Sequence, residues 1–505
     1  MVKFHNLVKA LLAITLALAW LSPAVLPTKA DPPRVHPLLE EIAKQSPNQK
    51  IPVIIQLGTG PSQAKKAVAK QGGKVAKDHP LINGFSAELP ARAVWALSNA
   101  PGVRWISPDP PMFTSSTREP IPLLRNVYPE STGAKQLHFA GIKGQGITVA
   151  VVDSGMVDSE DLKDQGGNSR TLAWVQYGAG RPYGPGDYFG HGSHVTGIIG
   201  GDGDLSAGAF TGMAPEVQLV NVKVINNQGA AKTSDVLDGL QWILDHKEQY
   251  NIRVVNLSMN STIPESYHIS PLDAALEILW FNGIVVVASA GNNGADGFTY
   301  PPANDPFVIT VGATDDRGTK SITDDIRASF SAFGTTVDGF SKPDIMAPGK
   351  NIISLLGEPG STLALAFPDQ IPASYPFYFR LSGTSMAAPV VAGAVALLLQ
   401  AEPWLNPDQV KYRLMTSANV NWSGYNPAEA GAGYLDIAKA IELETTTAAN
   451  TSIPASQLLW TGSNPINWGS VNWGSVNWGS VNWGSVNWGS VNWGSVNWGS
   501  ASSGN

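Results

Sequence analysis

Residues 381–389 read LSGTSMAAP, and they lead into the stretch VVAGAVALLL at 390–399. The second stretch is apolar on every side, and a helix without a polar face has to be buried. Ser385 and Pro389 lie in the first turn of the predicted helix, where backbone N–H groups have no partner within the helix. A hydroxyl there suits nucleophilic attack, because the helix end favours negative charge. The alternative is that Ser385 is an ordinary N-cap, since serine is among the preferred N-cap residues.

Two further polar clusters stand at predicted strand or helix ends. In AVVDSG at 150–155, Asp153 ends an apolar run; a turn-forming Asp is the alternative. In FGHGSHVTG at 189–197, glycines flank His191; a metal site shared with His194 is the alternative, but it lacks a nearby Glu or third His. Nucleophilic catalysis by serine needs a base and an acid that orients this base. Asp153, His191 and Ser385 can fill these roles in the chain order Asp, His, Ser.

The same three segments resemble the signature segments of the subtilisin-like serine peptidases. The resemblance covers residues of about 135–440, and three long motifs in the right order rarely coincide by chance. It implies that Asp153, His191 and Ser385 are the catalytic residues. It also assigns the base to His191 rather than His194, because the family uses the first histidine of this pair.

The resemblance extends to the residues that would bind the oxyanion and the substrate. VVVASAGNNG at 285–294 is similar to the family's oxyanion turn and assigns the donor to Asn292, although an ordinary Asn-Gly turn is the alternative. The segment that would pair with an extended substrate contains Ser258, Met259 and Asn260, as in strand addition to a sheet edge. Asn260 stands where the family commonly has Gly, which leaves open whether the pocket on this side is narrowed.

Short apolar runs alternate with helical segments from about residue 134, which predicts a parallel sheet covered on both faces. We therefore predict an α/β fold with a doubly wound, mostly parallel sheet of the subtilisin-like type. Ligands bind beyond the carboxyl ends of strands in such sheets, and the polar clusters fall at these ends. The predicted strands are 147–152, 218–224, 253–257, 284–288 and 307–311, and the predicted helices are 234–249 and 271–282.

Residues 49–108 form a second predicted unit, with the order β-α-β-β-α-β of a small α+β ferredoxin-like domain. Pro108–Pro122 is rich in Pro, Ser and Thr and indicates an exposed linker. The unit resembles the inhibitory propeptide of the subtilisin-like peptidases. This implies a zymogen whose propeptide, residues 31–118, is removed by self-cleavage between Ser107 and Arg118.

Residues 1–30 have the layout of a secretory signal peptide: lysines come first, an apolar run follows at 10–21, and small residues follow the run as far as Ala30. The run is shorter than the roughly 20 residues that a spanning helix needs, and an uncleaved anchor is the alternative. We therefore expect a secreted protein with no membrane span after signal removal. The net charge of −7, without a basic block, argues against nucleic acid as a partner. The chain has no Cys, which excludes a thiol nucleophile and thiolate metal sites.

The predicted peptidase domain spans 119–444, and the composition changes after Glu444. Residues 445–505 contain no charged residue, and seven copies of Asn-Trp-Gly-Ser lie between Asn467 and Ser500. A flexible uncharged spacer is the first interpretation of this tail. The alternative is a stacking or self-associating surface, because tryptophan presents a large flat face.

Taken together, the sequence predicts a monomeric serine endopeptidase that acts on proteins or peptides and has its own propeptide as an intramolecular inhibitor. No cofactor is required. The resemblance allows calcium as a structural ion, with Asp161 and the loop 201–204 as oxygen donors, but these are not a complete ligand set. Two alternatives are an acid-acting carboxyl peptidase with Glu in place of the histidine, and a binding protein on a peptidase-like scaffold.

Overall fold

The computed structural model describes residues 34–58, 62–114, 126–178, 184–296 and 300–459. The predicted signal peptide, residues 115–118 of the predicted cleavage region and the Asn-Trp-Gly-Ser repeats lie outside the described residues.

The N-terminal part of the described chain is the predicted small α+β unit, which we call the prodomain after its resemblance to a propeptide. Its four longer strands form an antiparallel sheet in the order β2-β3-β1-β4. This confirms the predicted ferredoxin-like arrangement, and one additional helix, α1, precedes it. The elements are α1 Pro37–Gln45, β1 Lys50–Leu57, α2 Ser62–Lys70, β2 Lys74–His79, β3 Gly84–Pro90, α3 Ala93–Ser98, β4 Val103–Pro108 and β5 Pro111–Thr114.

The larger part of the chain alternates strands and helices, as predicted. Its elements are α4 Tyr128–Ser131, α5 Ala134–Phe139, β6 Thr148–Asp153, β7 Thr171–Gln176, α6 His191–Gly200, β8 Gln218–Lys223, β9 Ala230–Lys232, α7 Thr233–Tyr250, β10 Ile252–Leu257, β11 Met259–Ser261, α8 Pro271–Phe281, β12 Val285–Ser289, β13 Ile309–Asp315, β14 Ile326–Arg327, β15 Gly334–Thr335, β16 Ser341–Lys342, β17 Ile345–Pro348, β18 Ile352–Leu355, α9 Thr362–Ala366, β19 Tyr378–Leu381, α10 Thr384–Ala401, α11 Pro407–Ser417, α12 Pro427–Ala430 and α13 Ile437–Glu442.

The central sheet has the strand order β14-β13-β12-β10-β6-β8-β7, and β17 also pairs with β13. All pairings are parallel except that of the short edge strand β14. The predicted α/β class with a mostly parallel sheet is therefore confirmed. Strands β12, β10 and β6 are neighbours, so their carboxyl ends meet at one edge of the sheet, where the candidate site lies.

The region predicted as an exposed linker is partly a strand, and this prediction was wrong. β5 lies between β9 and β11 in a three-stranded antiparallel sheet, and the side chain of Met112 is buried. A four-residue strand carries no periodic signal of its own, and both of its partners lie more than a hundred residues along the chain. Only tertiary pairing orders this segment.

The packed chain also continues past Glu444, where the uncharged tail was predicted to begin. Ala455, Ser456, Leu458 and Leu459 are all buried. The change in composition therefore does not coincide with the end of the packed structure.

Helix α10 is the buried helix that the apolar stretch at 390–399 predicted. It is long and apolar enough to cross a membrane, but it lies almost entirely inside the protein. It packs tightly against the preceding chain at Gly393, where an added Cβ atom would lie 2.4 Å from the Cβ atom of Met213. There is thus no room at this position for even a methyl group.

We expect Gly393→Ala to lower the free energy of unfolding by about 1–3 kcal/mol, the usual cost of overpacking a core. In an open helix the same change would raise stability by about 1 kcal/mol. Chemical denaturation of proteins that also carry Ser385→Ala, which removes the predicted nucleophile, would measure the difference.

Gly166→Ala is the matched control, because the added Cβ atom there would meet only the ends of the side chains of Asn168 and Asp164. We expect this exposed site to change by less than about 0.5 kcal/mol. Equal stability of Gly393→Ala and its parent would contradict the close packing described above.

Candidate active site

Ser385 is the second residue of α10, and it forms a reciprocal pair of hydrogen bonds with Ser258. The Ser385 hydroxyl donates to the Ser258 carbonyl at 3.0 Å, and the Ser258 hydroxyl donates to the Ser385 carbonyl at 3.0 Å. In a regular helix the Ser385 carbonyl would accept from the N–H four residues later, but that residue is Pro389, which has no N–H. The Ser258 hydroxyl replaces this missing donor.

One alternative and one expectation about the start of α10 are therefore wrong. The alternative that Ser385 is an N-cap fails, because Gly383 occupies the N-cap position and the Ser385 hydroxyl donates to the Ser258 carbonyl. Pro389 lies inside the helix and not in its first turn. The Ser258 side chain compensates for the internal proline by donating a hydrogen bond to the Ser385 carbonyl.

Asp153 and His191 are in direct contact. Asp153 is the last residue of β6, and His191 is the first residue of α6. The His191 Nδ1 atom lies 2.8 Å and 3.0 Å from the two carboxylate oxygens of Asp153, and both side chains are buried. Because an ionised carboxylate can only accept, Nδ1 carries the proton and Nε2 is the basic nitrogen. Nε2 is buried and has no hydrogen-bond partner among the described residues.

Asp187 is a positioning residue that the sequence reasoning missed. Its buried carboxylate accepts from the backbone N–H groups of Gly190 and Ser193, at 2.8 Å and 2.7 Å. It also accepts from the Ser154 hydroxyl at 2.8 Å, which in turn accepts from the Gly192 N–H at 2.9 Å. Asp187 thus fixes the first turn of α6, and a negative charge is favourable at this helix end. The sequence feature that could have indicated this role is an acidic residue four positions before a Gly-flanked histidine.

Asn292 follows β12 and contacts the residue before the nucleophile. Its side-chain oxygen accepts from the backbone N–H of Thr384 at 3.0 Å and from the Thr384 hydroxyl at 3.1 Å. Because a backbone N–H can only donate, the atom facing it is the oxygen, and this assigns the orientation of the amide. The Nδ2 atom is buried without a hydrogen-bond partner in the part of the chain that the structure describes. It is a donor held beside Ser385.

The predicted substrate segment contains the buried strand β11, which already pairs with another strand. β11 pairs antiparallel with β5 of the prodomain, with Met259 opposite Thr114 and Asn260 opposite Phe113. The strand of the prodomain therefore occupies the position predicted for an extended substrate. Ser258, which precedes β11, contacts Ser385 instead.

The Asn260 side chain extends from β11 towards the end of β12. Its Nδ2 atom donates to the Ser289 carbonyl at 3.0 Å, and its oxygen accepts from the Ser289 hydroxyl at 3.3 Å. The Asn260 oxygen lies 3.7 Å from the position of a Cβ atom added to Gly291, the residue before Asn292. These two bonds to Ser289 accommodate the Asn260 side chain at a position where the family resemblance led us to expect Gly.

His194 has a structural role and does not join a metal site. Its Nε2 atom lies 3.1 Å from the Ile352 carbonyl and 2.9 Å from the Phe379 carbonyl. Burial lowers the pKa of His194 to about 3, so the ring is neutral and donates from Nε2. The described residues contain no group of three or more His, Cys, Asp or Glu side chains that would hold a metal ion.

Asp161, one of the donors suggested for calcium, already has partners from the protein. The Asp161 carboxylate accepts from the Leu205 N–H at 2.8 Å and from the Tyr378 hydroxyl at 2.6 Å. The Arg170 guanidinium donates to the carbonyls of Asp161 and Gly200, at 2.7 Å and 2.6 Å. A buried arginine next to Asp161 thus disfavours this residue as a calcium ligand.

Comparison with known proteins identifies the class to which this fold and site belong. The family model of the subtilase family, Peptidase_S8, matches residues 144–446. A model of pentapeptide repeats matches residues 466–505 with 8 copies. The chain is 35% identical over 430 residues to serine protease AprX of Bacillus subtilis (strain 168), covering 82% of this chain and 92% of that protein. It is 33% identical over 363 residues to subtilisin E of the same strain, covering 71% of this chain and 81% of that protein.

A solved structure agrees with these sequence relatives. Fervidolysin from Fervidobacterium pennivorans, a keratinolytic enzyme related to subtilisin, has a TM-score of 0.60 and 25% identity. The match covers 79% of this chain but only 62% of the fervidolysin chain. The chain belongs to the subtilase family. It is a subtilisin-like serine endopeptidase, which needs no organic cofactor, and the hypothesis of a non-catalytic binding protein is not retained.

We expect Ser258→Ala to lower the free energy of unfolding by about 1–3 kcal/mol, because it removes the hydroxyl that donates to the buried Ser385 carbonyl. The Asn256 side-chain amide, which donates to the Ser258 hydroxyl at 3.0 Å, loses its acceptor as well. Denaturant unfolding of Ser385→Ala with and without Ser258→Ala would measure this loss of stability. Alanine at residue 385 keeps the backbone carbonyl, so the comparison isolates the Ser258 hydroxyl.

Thr262→Ala serves as the control from the same part of the chain, since Thr262 is exposed. Its stability should stay within about 0.5 kcal/mol of the parent. If Ser258→Ala were no less stable than this control, the Ser258 hydroxyl would not be the replacement for the donor that Pro389 lacks.

Proposed function

We propose that the protein is a secreted endopeptidase that hydrolyses peptide bonds in proteins through an Asp153–His191–Ser385 triad, and that it is made as a zymogen with a self-removed propeptide. The observation that carries the triad is the bond from His191 Nδ1 to Asp153, which leaves a buried, unpaired basic nitrogen. The Asn292 amide beside Ser385 supports the assignment of the oxyanion donor.

The proposed reaction has two halves, and the same groups act in both. His191 Nε2 removes the proton of the Ser385 hydroxyl while the oxygen attacks the peptide carbonyl carbon. The oxygen of that carbonyl becomes negative and accepts hydrogen bonds from Asn292 Nδ2 and from the Ser385 N–H. His191 then donates the proton to the leaving nitrogen, and an acyl-enzyme remains. Water repeats the sequence and releases the second product.

Each partner's environment fits its role in this mechanism. Asp153 stays ionised, holds the ring with Nε2 free, and stabilises the imidazolium that forms during attack. In the structure the Ser385 hydroxyl donates to Ser258, so it turns towards His191 when a substrate is cut. The intact histidine disfavours the acid-acting carboxyl peptidase alternative, which has Glu at this position.

The propeptide function rests on the strand that fills the substrate position. β5 is held from both sides by β9 and β11. The neighbouring Asp109 accepts from the N–H and the hydroxyl of Ser234, at 2.9 Å and 2.7 Å, and so caps helix α7. An inhibitor bound in this way excludes substrate until it is cut and released.

The strand register narrows the region of self-cleavage. Thr114 lies opposite Met259, and the residue before Met259 is Ser258, whose carbonyl accepts the Ser385 hydroxyl. Towards its carboxyl end, β5 therefore runs to the nucleophile. We infer that the cut lies after Thr114 and no later than Arg118, in the part of the predicted region 107–118 that follows β5.

The remaining features of the proposed function rest on the sequence. The layout of residues 1–30 supports export, and the net charge of −7 supports a partner other than nucleic acid. We propose a monomer, with proteins and peptides as substrates. Calcium stays a proposal without a site among the described residues. The Trp-rich tail is proposed as a spacer, with self-association as the alternative.

We expect Ser385→Ala to abolish propeptide removal, because the cut needs the hydroxyl. N-terminal sequencing of the purified wild type should give a mature chain that begins between residues 115 and 119, and the variant should retain the propeptide from residue 31. Ser423→Ala, at an exposed serine, should be processed like the wild type. A processed Ser385→Ala chain from a host without other peptidases would contradict self-cleavage.

We expect Asn292→Ala to lower kcat on a soluble peptide by about a hundredfold to a thousandfold with little change in KM, as loss of one oxyanion donor does in a subtilisin. The adjacent Asn293→Ala is the matched control, since Asn293 is exposed. Steady-state kinetics of both variants after propeptide removal would test this. If both changes lowered kcat by a similar small factor, Asn292 would be an ordinary turn residue and not the oxyanion donor.

A further inference from the structure

The chain beyond the subtilase match packs against helix α8 of the peptidase. We call residues 454–459 the C-terminal segment; the family match ends at residue 446. The Ser456 N–H donates to both carboxylate oxygens of Glu277, at 3.0 Å and 2.7 Å. The Gln457 N–H donates to the His268 carbonyl at 2.9 Å. The segment is therefore fixed to the peptidase through its N–H groups.

Three carbonyl groups of the same segment, those of residues 457–459, face the prodomain. Arg104 donates to the carbonyl of Leu459 at 3.3 Å and also to the carbonyl of Gln457. The side-chain amide of Gln56 donates to the carbonyl of Leu458. Three successive peptide groups thus accept hydrogen bonds from two prodomain side chains.

An apolar contact reinforces these hydrogen bonds. Trp105 of the prodomain, Leu458 of the C-terminal segment and Ala274 of α8 form one buried cluster. Gln56 and Trp105 are opposite each other on β1 and β4, so one patch of the prodomain sheet supplies both kinds of contact. The patch contacts helix α8 and the C-terminal segment together.

The charge on Arg104 strengthens the contact. Burial lowers the pKa of Arg104 to about 10, so the guanidinium remains protonated at neutral pH. Hydrogen bonds from a charged donor are stronger than those between neutral groups, and a partly buried site screens them less than the open surface does.

We propose that the C-terminal segment is a docking surface for the propeptide, which strengthens propeptide inhibition and delays activation. The proposal rests on the proposed zymogen function. The occupant is the sheet of the chain's own prodomain, through Gln56, Arg104 and Trp105. The segment lies outside the family match, so it adds a contact to those that the peptidase domain makes by itself. Release of the propeptide would expose the three carbonyl groups and Leu458.

The first test compares the full chains of wild type, Arg104→Ala and Arg92→Ala during activation. Arg92 bonds to Asn48 within the prodomain and is an exposed arginine, so its removal controls for general effects on the prodomain. The half-time of propeptide disappearance on gels and the rise of hydrolysis of a soluble peptide are the readouts. We expect about a fivefold to tenfold shorter half-time for Arg104→Ala, and an unchanged one for Arg92→Ala.

Leu458→Ala tests the same contact from the peptidase side. It should also shorten the half-time, while kcat/KM after complete propeptide removal stays at the wild-type value. Equal half-times for wild type and Arg104→Ala would overturn the proposal. So would equal shortening by Arg92→Ala, because the effect would then belong to the prodomain as a whole.

A second measurement separates this proposal from the proposed function. On the Ser385→Ala background, where no cut can occur, amide hydrogen exchange reports docking directly. Adding Arg104→Ala should speed exchange at residues 456–459 by about tenfold, whereas adding Arg92→Ala should not. If no wild-type chain is processed, the zymogen function fails, yet exchange still measures the contact. Unchanged exchange in a chain whose wild type is processed would overturn the docking surface alone.

Discussion

The reciprocal pair between Ser258 and Ser385 is the interaction on which the active site depends. Pro389 removes the N–H that would bond to the Ser385 carbonyl, and a buried carbonyl without a donor costs about 1–3 kcal/mol. The Ser258 hydroxyl supplies that donor, and the Ser258 carbonyl accepts the nucleophile's hydroxyl in return. The pair ties the end of β10 to the start of α10. The position of the nucleophile is thus set by the sheet as well as by the helix.

The sheet gathers the other groups because its parallel strands end at one edge. Asp153 ends β6, Ser258 follows β10, and Asn292 follows β12, and these three strands are neighbours. Two polar atoms at this edge, His191 Nε2 and Asn292 Nδ2, are buried without hydrogen-bond partners among the described residues. Such atoms cost stability in the unliganded protein. A reacting substrate would supply partners for both, so this cost fits a site built for a transition state.

The prodomain covers this site by pairing as a substrate strand and by packing on the two helices behind it. β5 completes a sheet with β9 and β11, while His79 lies 3.1 Å from Asp238 of α7 and Trp105 packs on Ala274 of α8. Backbone pairing depends little on side chains, so it suits an inhibitor that occupies a groove made for many sequences. In the proposed zymogen, side-chain contacts away from the groove, including those to residues 457–459, would give affinity that cutting the strand does not remove.

Local patterns in the sequence were enough to find the sheet, the buried helix and the chemistry of the site. The apolar runs before Asp153 and Asn292 and after Ser385 are long, and motifs around them give the roles in chain order. Asp187 was missed because most of its partners are backbone N–H groups, and its place four residues before His191 indicates a position but not these bonds. The helix position of Pro389, the strand β5 and the packed residues after Glu444 were also missed or misjudged. Each depends on a partner distant in the chain: Ser258 for the helix, Met259 and Ala231 for the strand, Glu277 for the segment.

The sequence by itself determined the fold class and was sufficient to predict a nucleophile, base, acid and oxyanion donor, because buried periodicity and short motifs are local properties. The tertiary structure alone decided which donor completes the helix at Ser385, which strand pairs with β11, and where the packed part of the described chain ends. These three outcomes depend on hydrogen bonds between peptide groups and side chains that are far apart in the chain. The spacing of residue types along the sequence does not predict such bonds.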